Sequence, residues 1–131
     1  MYYYTALATL ASVFFYSWLG LSVAKARSRY KIAAPATTGD PAFERIYRVH
    51  MNTLEWMVVY LPCLWLFAFF VSDAGAAVLG LVWIAGRYLY KRGYEEAPQK
   101  RSLGFTVQAV AVTALFLGVL INILARLAFG D

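Results

Sequence analysis

The stretch Phe43–Val71, FERIYRVHMNTLEWMVVYLPCLWLFAFFV, decides how the chain is read. Its opening part carries Glu44, Arg45, Arg48, His50, Asn52 and Glu55, and runs unbroken into an apolar segment of membrane-spanning character. Charged residues in a membrane helix are costly, so their default reading is a functional site. A helix turns about 100° per residue, which sets Arg48 at about 300°, Asn52 at 340°, Glu55 at 280° and Trp56 at 20° from Arg45. Cations, an amide, a carboxylate and an indole therefore share one stripe. His50 falls at about 140°, on the other side.

Composition agrees with a membrane protein. The chain has 131 residues, of which 62% are hydrophobic and 18% aromatic. That exceeds the apolar share of ordinary soluble domains and points to a polytopic membrane protein. The length suits one small bundle without a separate soluble domain. The net charge of +5 reports membrane orientation before any nucleic-acid partner, because no basic arm or solvated domain is present. The single cysteine, Cys63, excludes an intrachain disulfide and reads as a buried span residue. The single histidine, His50, is a poor metal ligand, since metal sites need several.

Outward from the opening stretch, the sequence predicts an all-α membrane protein, one four-helix transmembrane domain over residues 1–131. Span one covers residues 2–24, with Tyr2, Tyr3 and Tyr4 at an interface end; it is too long for a cleaved signal peptide. A basic loop follows, with Lys25, Arg27, Arg29 and Lys31, interrupted by Pro35, Gly39 and Pro41. Asp40 is placed to cap the next helix, with Pro41 in its first turn. Span two covers residues 43–71, about 43 Å, longer than a hydrocarbon core of about 30 Å, so its first turns stand in the headgroup region. Pro62 predicts a kink there. Residues 72–75 read as a tight turn. Span three covers 76–92, with Arg87, Tyr90 and Tyr94 on one face, and Gly93 and Pro98 mark its end. Span four covers 103–129, with Gln108 and Asn122 as helix-packing amides. The first and third loops hold nearly all the basic residues, so both are expected to be cytoplasmic and both termini outside.

This topology gathers Arg27, Arg45, Arg48, Asn52, Glu55, Arg87, Tyr90, Tyr94 and Arg101 at one mouth. Arginine forks bind carboxylates, Glu55 suits an ammonium and Asn52 a peptide amide. Glutathione fits that inventory, and a nearby cation lowers the pKa of its thiol. Interface anchors and inter-helix ion pairs would use the same residue types.

The motif FERIYRVHMNTLE resembles the signature of the MAPEG family, the membrane-associated proteins in eicosanoid and glutathione metabolism. The pattern E-R-x-x-R-[A/V]-[Q/H]-x-N-x-x-E is matched in register by Glu44, Arg45, Arg48, His50, Asn52 and Glu55. ATTGDPAFER and GLVWIAGRYLYKRGY also look like family segments, extending the likeness from Val23 to Arg101. The resemblance implies a four-helix bundle that forms a homotrimer, with glutathione between adjacent subunits. It implies Arg27, Arg48, Asn52, Glu55 and Tyr90 as glutathione contacts, with Tyr94 an additional one. Trp56 and His50 occupy positions where members differ and are also expected to contact glutathione, His50 from the far side of its helix reaching the ligand bound mainly by the adjacent subunit. Arg101 matches the arginine credited with stabilising the thiolate. Ser28 replaces a second arginine of the leukotriene-forming members, and Pro62 comes about one turn later than theirs.

The function implied is a membrane-embedded glutathione transferase that conjugates glutathione to hydrophobic electrophiles, with detoxification as its use and glutathione-dependent peroxidase activity toward lipid hydroperoxides as an extension. The expected partners are glutathione, the hydrophobic substrate, membrane lipid and two further copies of the chain, without metal or nucleic acid. A bacterial inner membrane is the expected location. The alternative is a non-enzymatic lipid-binding scaffold of the same family, against which Arg48, Asn52, Glu55 and Arg101 argue.

Overall fold

The computed structural model describes residues 1–131. It contains four long helices and no strand: α1 (Tyr3–Tyr30), α2 (Pro41–Phe70), α3 (Asp73–Glu96) and α4 (Ser102–Phe129), with a 3-10 turn at Pro98–Arg101 before α4. The stretches holding α1, α2 and α4 are each long and apolar enough to cross a membrane. The more polar α3 packs against all three of the others.

Local chemistry sets the helix ends. Asp40 Oδ1 accepts from the N–H groups of Ala42 at 2.8 Å and Phe43 at 3.4 Å, and Pro41 opens α2. This is the cap expected from the sequence. α1 continues to Tyr30 rather than stopping at Ala24, because nothing in KARSRY breaks a helix; it ends where Lys31 takes a φ of 57°. The expected turn over 72–75 shortens, since Ser72 Oγ accepts from Gly75 N–H at 2.9 Å and lets α3 begin at Asp73. α3 then runs past Gly93 to Glu96. Asp73 also accepts from the Thr5 and Tyr4 backbone N–H groups at 2.8 and 3.2 Å. The start of α3 thus satisfies orphan donors at the start of α1.

The core lies among α2, α3 and α4, with Ala8 and Ser12 of α1 closing it. Tyr60 and Trp83 stack at 3.9 Å with an interplanar angle of 2°, and Ser12 Oγ bonds Tyr60 Oη at 2.9 Å. Leu64, Ala76 and Leu115 are completely buried beside them. Small residues let α3 and α4 touch backbone to backbone. A Cβ on Gly104 would run into the Tyr90 backbone, and one on Gly86 would sit 2.5 Å from Gln108 N.

That contact makes a prediction. Gly104→Ala should destabilise the folded protein by about 2 kcal/mol or more, since backbone has no room to yield. Gly20→Ala should be nearly neutral, because its Cβ would only meet His50 Nε2 at 3.4 Å. Thermal unfolding in mild detergent checks both, and equal midpoints for the two variants would contradict the packing described.

Candidate functional site

Three helices meet at a polar recess of about 320 Å³. α2 contributes Arg48 and Asn52, α3 contributes Tyr90 and Tyr94, the turn before α4 contributes Arg101, and α4 contributes Phe105. Each pair is four residues apart, which places both members on one helix face. Tyr90 and Tyr94 stack at 5.5 Å. Arg101 is held by its Nη1, which donates to Pro98 O at 2.8 Å. Arg48 Nη2 lies 3.3 Å from Glu55 Oε1, and both side chains are about half exposed, at 50% and 56%. Exposed pairs of this kind contribute little to stability, so a ligand can take over either partner at small cost. Trp56 stands edge-on to Phe105 at 5.8 Å.

Two of the lining residues, Asn52 and Tyr90, are contacted from inside the bundle by Arg87. Arg87 is completely buried. Its Nη2 donates to Asn52 Oδ1 at 2.9 Å and to Thr53 Oγ1 at 2.8 Å, and its guanidinium lies 4.3 Å from the Tyr90 ring centroid. The sequence put Arg87 at the mouth with Tyr90 and Tyr94. The structure corrects this, because the face it shares with them is turned toward α2 rather than toward water.

Other expected residues also part from the stripe. Arg45 Nε donates to Glu95 O at 3.0 Å and ties the start of α2 to the end of α3. With Arg48, Tyr94, Glu44 and Thr37 it lines a second polar recess of about 400 Å³. Arg27 turns to its own loop, donating to Ala36 O at 2.7 Å, with its guanidinium 5.1 Å from the Phe43 ring centroid. His50 stacks on Tyr16 of α1 at 4.5 Å. Within one chain, then, Arg48, Asn52, Tyr90, Tyr94 and Arg101 come together, with Glu55 and Trp56 at the edge. Arg27 and His50 lie apart on the α1–α2 side.

Sequence reasoning missed Phe105. It lines the polar recess and also the head of an apolar groove of about 440 Å³ that continues along α4 past Ala109 and Val110 to Leu117. The available signal was its spacing, one helical turn beyond Arg101. Chemically, the recess offers two guanidinium groups, two phenols and an amide to an anionic ligand. The groove offers only apolar surface and threonine hydroxyls, and the two share a wall.

Comparison with known proteins is consistent across most of the chain. The sequence model described as the MAPEG family matches residues 5–121. An uncharacterised protein of Synechocystis sp. is 43% identical over 122 residues, covering 93% of this chain and 89% of that protein. Human microsomal glutathione S-transferase 2 is 44% identical over 89 residues, covering 68% of this chain and 60% of that protein. Bovine leukotriene C4 synthase is 34% identical over 121 residues, covering 92% and 81%.

The buried Arg87 gives a stability prediction. Thr53→Val keeps the shape but removes an acceptor from a buried guanidinium, and should cost about 1–2 kcal/mol. Ser17→Ala, which removes an exposed hydroxyl bonded to Val13 O, should cost less than about 0.5 kcal/mol. Chemical or thermal unfolding of both variants in the same detergent measures the difference.

Proposed function

Because the chain belongs to the MAPEG family, we propose that it is a membrane-embedded glutathione transferase, with glutathione-dependent peroxidase activity toward lipid hydroperoxides as a second use of the same site. The observation that carries this reading is the shared wall at Phe105, on which a cationic recess and an apolar groove both lie. A hydrophilic thiol and a lipid-soluble electrophile are thereby brought side by side without either leaving its preferred solvent.

In this reading glutathione enters the recess from the aqueous side. Arg48 pairs with a carboxylate, Glu55 accepts from the ammonium and Asn52 bonds the peptide portion. Tyr90 and Tyr94 close the wall. The thiol is directed toward Arg101, whose permanent charge favours the thiolate. The start of α4 lies beside it and adds the positive end of the helix dipole. The electrophile reaches the thiolate along the α4 groove. Sulfur forms the new bond to carbon and the leaving group departs with its electron pair. With a hydroperoxide, two glutathione molecules are oxidised to the disulfide, and the hydroperoxide is reduced to an alcohol and water. The protein supplies positioning and electrostatic stabilisation, and no side chain of its own forms a covalent bond.

The separation of Arg27 and His50 from the recess supports a site shared between copies. In a homotrimer, the α1–α2 side of one chain would complete the recess of the next and bring both residues to the ligand. With the basic loops in the cytoplasm of a bacterium and both termini outside, the glutathione mouth would face the compartment in which the thiol is kept reduced.

Two outcomes are expected. The detergent-solubilised protein binds glutathione with a new thiolate absorbance in the near ultraviolet and conjugates an aryl halide; Arg101→Ala lowers kcat about 100-fold while changing glutathione affinity much less. Failure of wild-type protein both to bind and to conjugate would leave the lipid-binding scaffold as the better reading. Chemical cross-linking in mild detergent should give a ladder ending at three chains, and a ladder ending at two would remove the shared-site arrangement.

A further inference from the structure

We infer that Arg87 is a positioning residue for the recess: from inside the bundle it holds the amide oxygen of Asn52, so that Asn52 offers only N–H donors and meets a ligand at a carboxylate or carbonyl oxygen. The argument begins with the chemistry of the two groups. A guanidinium has donors and no acceptor. The end of the Asn52 amide that faces Arg87 Nη2 at 2.9 Å is therefore its oxygen. The same Nη2 donates to Thr53 Oγ1 at 2.8 Å, so it is gripped by two successive residues of α2 and cannot follow Asn52 if that side chain swings. Arg87 is completely buried, and its guanidinium also packs on the Tyr90 ring, which forms another wall of the recess.

The planar amide then directs its nitrogen away from Arg87. The Asn52 Nδ2 contact is Glu55 Oε1 at 3.5 Å, the outer limit of a hydrogen bond. Glu55 is already engaged with Arg48. Nδ2 is thus the weakly committed end of the side chain, and Asn52 lines the recess. An amide free to rotate could turn either end to a ligand; one held by Arg87 keeps its oxygen on the Arg87 side and meets the ligand with its N–H donors. Selection of this kind is strong, because a polar ligand group left without its partner in a recess is penalised more than a missing contact alone. The class of ligand rests on the glutathione reading, whereas the link between Arg87 and Asn52 does not.

The chain has two asparagines, Asn52 and Asn122, so labelling asparagine with nitrogen-15 gives two side-chain amide signals, assigned with Asn122→Ala. Arg87→Met should move the Asn52 pair and leave the Asn122 pair in place. It should also weaken glutathione binding about tenfold in the wild-type background but less than about twofold when Asn52 is already alanine. Asn52→Asp sets a carboxylate against the buried Arg87. It should unfold at or above the wild-type midpoint yet lose glutathione binding, and it carries the test should Arg87→Met not fold. Unmoved Asn52 signals, equal losses in both backgrounds, or wild-type glutathione affinity in Asn52→Asp would each overturn the assignment. If the wild-type protein does not bind glutathione at all, the ligand class falls, and the amide signals still decide whether Arg87 holds Asn52.

Discussion

Arg87 carries a positive charge into the middle of a helix bundle, and no carboxylate meets it. A charge removed from water is expensive unless its donors are used. Here it rests on a side-chain oxygen from each of two adjacent α2 residues and on the face of Tyr90. The cost of that burial binds α2 and α3 to one relative position, since a slide of either helix would leave the cation with fewer partners. The recess stands directly on this arrangement: Asn52 and Tyr90, which line it, are also contacts of the buried cation, whose Nη2 is hydrogen-bonded while Nε and Nη1 are without partners.

Close approach of α3 and α4 is the second constraint. Glycines at 86 and 104 let the two backbones touch, and the short turn at Pro98–Arg101 leaves Arg101 little freedom. With α3 fixed against α2 by Arg87 and against α4 by packing, Arg48 and Arg101 come to line one recess although they lie on different helices. Phe105, one turn further along α4, then divides polar from apolar surface. A polar pocket and a lipid-facing groove follow from one small set of helix contacts, and the proposed chemistry needs both.

Much of the recess was legible beforehand. The spacing of Arg48, Asn52 and Glu55 put them on one stripe whatever the bundle did, and Tyr90 and Tyr94 shared a face for the same reason. His50 was placed opposite that stripe, and it packs on α1. Arg87 shows where such reasoning stops. Helical periodicity says which residues share a face but not which neighbour the face meets, so it groups Arg87 with the mouth, whereas the side chain is buried behind Asn52 and Tyr90. Within one chain Arg45 and Arg27 part from the recess for a related reason: long flexible side chains choose among nearby carbonyls, here Glu95 O and Ala36 O, and a carbonyl carries no mark in the sequence. Helix ends were predicted well where a capping residue was present, as at Asp40. They were predicted too early where a polar stretch contained no breaker, as after Ala24.

By itself the sequence determined an all-helical membrane bundle, the side of each helix that carries polar groups, and membership of a family. It could do so because these are properties of local spacing, of apolar length and of a contiguous motif. Only the tertiary structure decided that Arg87 is interior and bonds Asn52, that Arg27 and His50 lie away from the recess of their own chain, and that Phe105 lines both the recess and a groove. Those facts depend on the relative rotation and depth of packed helices, which side-chain volume and backbone contact set across elements far apart in the chain.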